Sequence, residues 1–245
     1  MKNKLTLLTI AAMPALSLLA ANPVFTGNLD LSAKSWQLTA STNSGKWPLA
    51  NTITGGLSFQ FPQSTDDPTG IFVNMFYQQQ KPRNISIIGA GVLQAVIRIT
   101  ETGTPVYGFH SEAGNTCPNS PATYKFYFTQ GTGNDLERWW SVPINLILAA
   151  TASPIIPPVG AYGVFPNNDG TVTVIVPLDP HYWISVYGEA GDSSPAALAK
   201  FQETLGNIQY IGGGFGGGCF ETHGANVVQG TGTSAFEIKQ YRVGN

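Results

Sequence analysis

Apolar and polar positions alternate over short distances through most of this chain. In residues 123–129, Tyr124, Phe126 and Phe128 fall on one side, with Lys125 and Tyr127 on the other. In residues 234–243, Phe236, Ile238 and Gln240 oppose Glu237, Lys239 and Tyr241. A period of two marks a β-strand with one face on a core and one toward water. Further short runs rich in β-branched and aromatic residues cover Leu57–Phe61, Ile71–Gln78, Val92–Thr100, Val106–His110 and Arg138–Val142. Others are Ile144–Ala149, Val172–Val176 and Asn207–Phe215. Turn clusters such as Pro62–Gly70, Gly103–Pro105, Thr129–Asn134 and Asn167–Gly170 separate them. Strands at roughly ten-residue spacing predict an all-β fold, an antiparallel β-sandwich or jelly roll.

Two segments read as helix, both in one connection between strands. Ser194-Pro195 followed by Ala196–Leu205 and Gly206 supplies a capping serine, proline at the first helical position and a closing glycine. Asp179-Pro180, then His181–Tyr187 and Gly188, repeats the design in shorter form.

Composition narrows the setting. Of 245 residues 28 are Gly and 17 Pro, and only 11% are charged, against about 25% in a typical soluble domain. The aromatic content of 11% excludes a self-repelling disordered chain. Lys2 and Lys4 precede an apolar stretch, Leu5–Ala21, that contains Pro14 and ends in small residues. That layout predicts a signal peptide over residues 1–21 of a secreted protein, extracellular or periplasmic, and no membrane-embedded segment after it. Residues 22–245 then form one sandwich domain. Without Lys2 and Lys4 the 12 basic residues are further outnumbered by the 14 acidic ones, which argues against nucleic-acid partners. In an exported chain the pair Cys117 and Cys219 predicts a disulfide.

The last third resembles galactose-binding-like β-sandwiches of the carbohydrate-binding-module type. The resemblance rests on Val172-Thr173-Val174-Ile175-Val176-Pro177-Leu178, the helical detour, Leu205-Gly206-Asn207-Ile208-Gln209-Tyr210-Ile211, and Ala235–Val243. It covers residues 172–243 and implies a jelly-roll fold and sugar binding. Many such modules carry aspartate where this chain has Lys239.

Candidate chemistry follows. The run Gly212–Gly218 contains G-x-G-x-x-G, and Ile87-Ile88-Gly89-Ala90-Gly91 is a near-match. Neither opens a helix, as a dinucleotide site requires, so the glycines read as places where another segment comes close. In Arg138-Trp139-Trp140 neighbouring residues point opposite ways. One tryptophan should therefore face outward and offer a flat face to a pyranose, and Trp139→Ala or Trp140→Ala should abolish glycan binding with the fold intact. Asn74, Tyr77 and Gln78 add hydroxyl-binding groups on one strand. Glu221 and His223 pair a carboxylate with an imidazole on a loop. No histidine spacing suits a transition metal, and no cofactor is predicted. A structural calcium on Asp66, Asp67 or Asp169 stays open. Carboxylates are few and dispersed, with Asp135 and Glu137 the nearest approach to a hydrolytic pair. A non-catalytic glycan-binding module is the first reading. A structural protein that self-associates through strand edges and a sandwich-fold glycosidase or lyase are the alternatives.

Overall fold

The β-branched and aromatic runs pair into two sheets. The structure, a computed structural model, describes residues 22–42, 57–64, 71–79, 84–109, 123–131, 136–145, 162–216 and 222–245. In chain order the strands are β1 (Gly27–Asn28), β2 (Trp36–Thr42), β3 (Ser58–Gln60), β4 (Gln63–Ser64), β5 (Ile71–Gln79) and β6 (Val92–Gly103). Then come β7 (Tyr107–Phe109), β8 (Thr123–Gln130), β9 (Glu137–Ser141), β10 (Ile144–Asn145), β11 (Gly163–Pro166) and β12 (Val172–Pro177). The last part holds β13 (Trp183–Ser185), helix α1 (Pro195–Leu205), β14 (Tyr210–Phe215), β15 (Ala225–Val228) and β16 (Gly232–Gly244).

A six-stranded sheet runs β1-β16-β6-β12-β11, with β3 also on β16. A ten-stranded sheet runs β13-β9-β8-β14-β5-β15-β4, with β2 on β5, β10 on β8 and β7 on β15. The pairs are antiparallel apart from β4 with β15. The two sheets pack face to face as an all-β sandwich with one α-helix, and no helix among the described residues is long and apolar enough to cross a membrane.

Aromatic rings fill the space between the sheets. Phe76, Tyr124 and Phe215 of the larger sheet meet Phe59 and Phe236 of the smaller one at centroid distances of 4.9–6.3 Å. The buried hydroxyl of Tyr241 donates to the carbonyl of Gly212 at 2.9 Å and so ties the sheets together without stranding a polar group.

The glycines of β14 are explained by this packing. A Cβ on Gly213 would lie 2.5 Å from Tyr124 Cε2 and 2.7 Å from Phe76 Cζ; one on Gly214 would lie 2.5 Å from Thr222 Oγ1. Close approach, and no phosphate loop, accounts for Gly212–Gly214.

Helix α1 is as its caps predict. Ser194 Oγ accepts from Ala197 N at 3.1 Å, Pro195 opens the first turn and Gly206 closes the last. Phe201 and Leu205 enter the core, where Phe201 meets Trp139 at 5.1 Å.

The structure corrects three expectations. The second helix is a single 3-10 turn, Pro180–Tyr182, capped by Asp179. Trp183–Ser185 then pairs as a strand with Trp139–Ser141, because the edge of β9 offers unpaired backbone groups. In β16 the alternation fails at Lys239, where a bulge lies between Ile238 and Gln240 in the pairing with β6. The extra residue turns Tyr241 into the core and Gln240 toward the surface. Finally, β8 is buried on both faces along its whole length, so neither face meets water as the alternation implied.

Candidate functional site

The register of the ten-stranded sheet decides which side chains share its outer face. Across β2, β5, β14, β8 and β9 the aligned residues are Gln37, Tyr77, Gly212, Tyr127 and Trp140. The next row holds Gln79, Tyr210, Thr129 and Arg138. These positions alternate with Phe76, Ile211, Phe128 and Trp139 of the core, so both rows point away from the other sheet. Arg138, Trp140 and Tyr77, far apart in sequence, are thereby brought onto one face.

That face is closed at one end and open at the other. Trp140 is 2% exposed and Tyr127 4%, with their rings 5.6 Å apart. Trp139 is fully buried in the core, its indole Nε1 donating to Thr204 Oγ1 at 3.2 Å. Neither tryptophan of the pair is therefore the outward platform the alternation suggested. Alternation assigns opposite faces, and here both faces are covered. Burial raises the Tyr127 phenol well above its usual range, with the charge of Arg138 and a hydrogen bond to Thr129 opposing it. The half-buried Arg138 has no partner for its Nε among the described residues. Glu137 is engaged structurally, receiving Lys200 Nζ of α1 at 3.1 Å.

Toward β2 the face opens. Tyr77 and Tyr210 are half-buried and meet edge to face at 5.0 Å, and Tyr77 Oη donates to Gln37 Oε1 at 2.8 Å. Desolvation, with Tyr210 beside it, raises the Tyr77 pKa. Directly beyond lies a groove of about 490 Å3 whose wall includes Asn28, Asp30, Lys34, Gln37, Gln78 and Gln79, with Phe25 and Leu29 as its apolar part.

The turn that carries Asp30 is locally determined. Asp30 Oδ1 accepts from Ser32 N at 2.9 Å; Oδ2 accepts from Ser32 Oγ at 2.7 Å and Ser35 Oγ at 2.9 Å. These bonds hold its carboxyl below the usual aspartate value of 3.8. Their support for the turn is complete above that pH and is lost as acid titrates the group through its lowered value. The carbonyl of Asp30 accepts from both Trp36 Nε1 at 2.6 Å and Gln78 Nε2 at 3.0 Å, which fixes the turn against the end of β5.

The other predicted residues are placed as follows. Gln78 points toward the core side of β5 and reaches the groove from its end. Asn74 sits at a bulge: Thr39 pairs with Met75 and Ala40 with Val73, so Asn74 has no partner position. Val73 and Phe76 both reach the core across this bulge, and the even spacing of Asn74 and Gln78 does not give them one face. Asn74 is 2% exposed and His223 7%. Among the described residues Asn74 Oδ1, Thr222 Oγ1 and both amide atoms of Asn226 have no hydrogen-bond partner. Asp169 accepts from Thr171 N and Oγ1 and forms a turn. Cys117, Cys219, Glu221, Asp66, Asp67, Asp135 and the predicted signal segment lie outside the described residues.

Sequence reasoning did not single out Asp30, Lys34, Gln37, Gln79 or Tyr210. The available signal was the amide run Gln78-Gln79-Gln80 at the end of an apolar run, since carboxamides there each need hydrogen-bond partners. Among the described residues no cluster of histidine, cysteine and carboxylate side chains is arranged to hold a metal ion. No protein-family model, no curated protein and no solved structure matches this chain.

Proposed function

We propose that this protein is a secreted glycan-binding sandwich whose ligand lies in the groove at the end of β5. The observation that carries the reading is the composition of the groove. Carboxamides from Asn28, Gln37, Gln78 and Gln79 surround a small apolar floor, with the Tyr77–Tyr210 pair immediately alongside. Carboxamides both donate and accept, as sugar hydroxyls do. A half-exposed phenol ring gives a sugar's C–H face an apolar contact, and a few fixed polar groups beside apolar surface are the usual build of a small-molecule site. Among the described residues Asp30 is the single carboxylate of the groove wall, whereas glycoside hydrolysis uses two. Binding without cleavage is the better fit.

The resemblance over residues 172–243 points the same way, since it implies sugar binding on a sandwich. In this reading Tyr77 and Gln78 remain ligand contacts, and Trp139, buried in the core, is not one.

Affinity electrophoresis through gels containing each of a panel of polysaccharides tests the reading. The wild-type chain is expected to be retarded by at least one polymer. Gln37→Ala, at an exposed position, should weaken the retarding interaction about tenfold, the effect of losing roughly 1.4 kcal/mol of hydrogen bonding. Free migration of the wild-type chain in every gel contradicts the reading.

A further inference from the structure

We infer that the groove selects acidic glycans, those bearing uronate carboxylates, over neutral ones; this rests on the glycan-binding reading and adds the charge of the ligand. Several of the hydrogen-bonding valences that line the groove are already used by the protein itself. Gln37 Oε1 is occupied by Tyr77 Oη at 2.8 Å, which leaves the Gln37 NH2 group as a donor toward the groove. Asn28 Oδ1 is occupied by Gln240 Nε2 at 2.9 Å, which leaves the Asn28 NH2 group as a second donor.

Lys34 supplies an ammonium group from the same wall and forms no ion pair among the described residues. Among the described lining residues the opposing charge is Asp30, whose carboxylate stays negative while Ser32 N, Ser32 Oγ and Ser35 Oγ fill three of its four or so lone-pair directions. With the Gln37 and Asn28 oxygens engaged and Asp30 mostly saturated, these groups offer a ligand mainly donors, and the Lys34 ammonium is a charged one. A sugar hydroxyl satisfies one donor at a time. A carboxylate accepts at two oxygens and along about four lone-pair directions, and bonds to it from charged donors are the stronger kind.

The test compares polymers that share a backbone and differ in charge: polygalacturonate with its methyl ester, and alginate with its propylene glycol ester. Retardation by at least one acid form is expected to exceed that by its ester about tenfold or more at low salt, and to fall as salt screens the groove. Lys34→Gln, a change at an exposed position, should weaken retardation by the acid form several-fold more than retardation by its ester, so that the preference shrinks. Gln37→Glu should abolish acid binding by placing a carboxylate against the ligand's own.

Equal retardation by acid and ester forms, or a preference that survives both substitutions, overturns the inference and leaves glycan binding standing. Retardation by neutral glucans, mannans or galactans with none by either acid polymer does the same. Retardation by no polymer at all, acidic or neutral, removes both the inference and the reading beneath it.

Discussion

Replacing Gly213 with alanine is expected to destabilise the protein by about 3 kcal/mol, the upper part of the range for overpacked cores. The added Cβ would meet Tyr124 Cε2 at 2.5 Å, Tyr124 Oη at 2.6 Å and Phe76 Cζ at 2.7 Å. No rotation relieves all three, because both rings are fully buried and already pack against Phe215 and Phe236. The rings, or the β14 backbone between β5 and β8, must shift. Gly91→Ala is the control, since its Cβ would find only ordinary contacts, the nearest at 3.5 Å. Urea denaturation reads the result as a lowered midpoint for Gly213→Ala and a near-unchanged one for Gly91→Ala. Equal midpoints would show that β14 is not the tight seam described above.

The second large effect is at Trp139. Truncation to alanine removes a fully buried ring that packs on Phe201 and leaves Thr204 Oγ1 without its indole donor. Losses of about 3–5 kcal/mol are usual for such changes, enough to unfold many domains of marginal stability. Any loss of glycan binding in Trp139→Ala should therefore come with loss of near-ultraviolet circular dichroism and a lower melting temperature. That outcome separates a core role from the sugar-platform role that the Arg138-Trp139-Trp140 sequence suggested. A variant that melts like the wild type yet binds nothing would restore the platform.

These two residues also show what the sequence could and could not convey. Alternation located most of the longer strands, and the Ser194-Pro195 and Gly206 signals located α1, because each depends on neighbours within a few residues. Alternation could not tell whether the second face of a strand is covered. That depends on distant segments, so Trp140 and Tyr127 were free to be read as solvent-facing when both are buried. Single-residue bulges at Asn74 and Lys239 reverse the faces that follow them and leave no mark in the pattern. Asp179-Pro180 starts a helical turn, which predicts a helix running on through Trp183–Ser185, but after Tyr182 the edge of β9 claims those three residues.

The groove was the least legible part. Its walls join the Asp30–Ser35 turn to the end of β5, and the contact that unites them is the bond from Gln78 Nε2 to the Asp30 carbonyl. Tyr77 and Gln78 were identifiable as polar or aromatic groups on a strand, whereas Gln37 and Tyr210 acquire significance only through register, as cross-strand neighbours of Tyr77 and Gln79.

The central claim is that a glycan occupies this groove and its tyrosine ledge. Chemical-shift mapping of the isotope-labelled protein, titrated with an oligosaccharide from a polymer that retards it, tests that claim most directly. The account predicts that the largest shift changes fall on Gln37, Gln79, Tyr77 and Tyr210 and the side-chain amide of Asn28, with Trp139 unmoved. Shift changes centred on another surface, such as the β11–β12 edge, or no changes at saturating sugar, would contradict it.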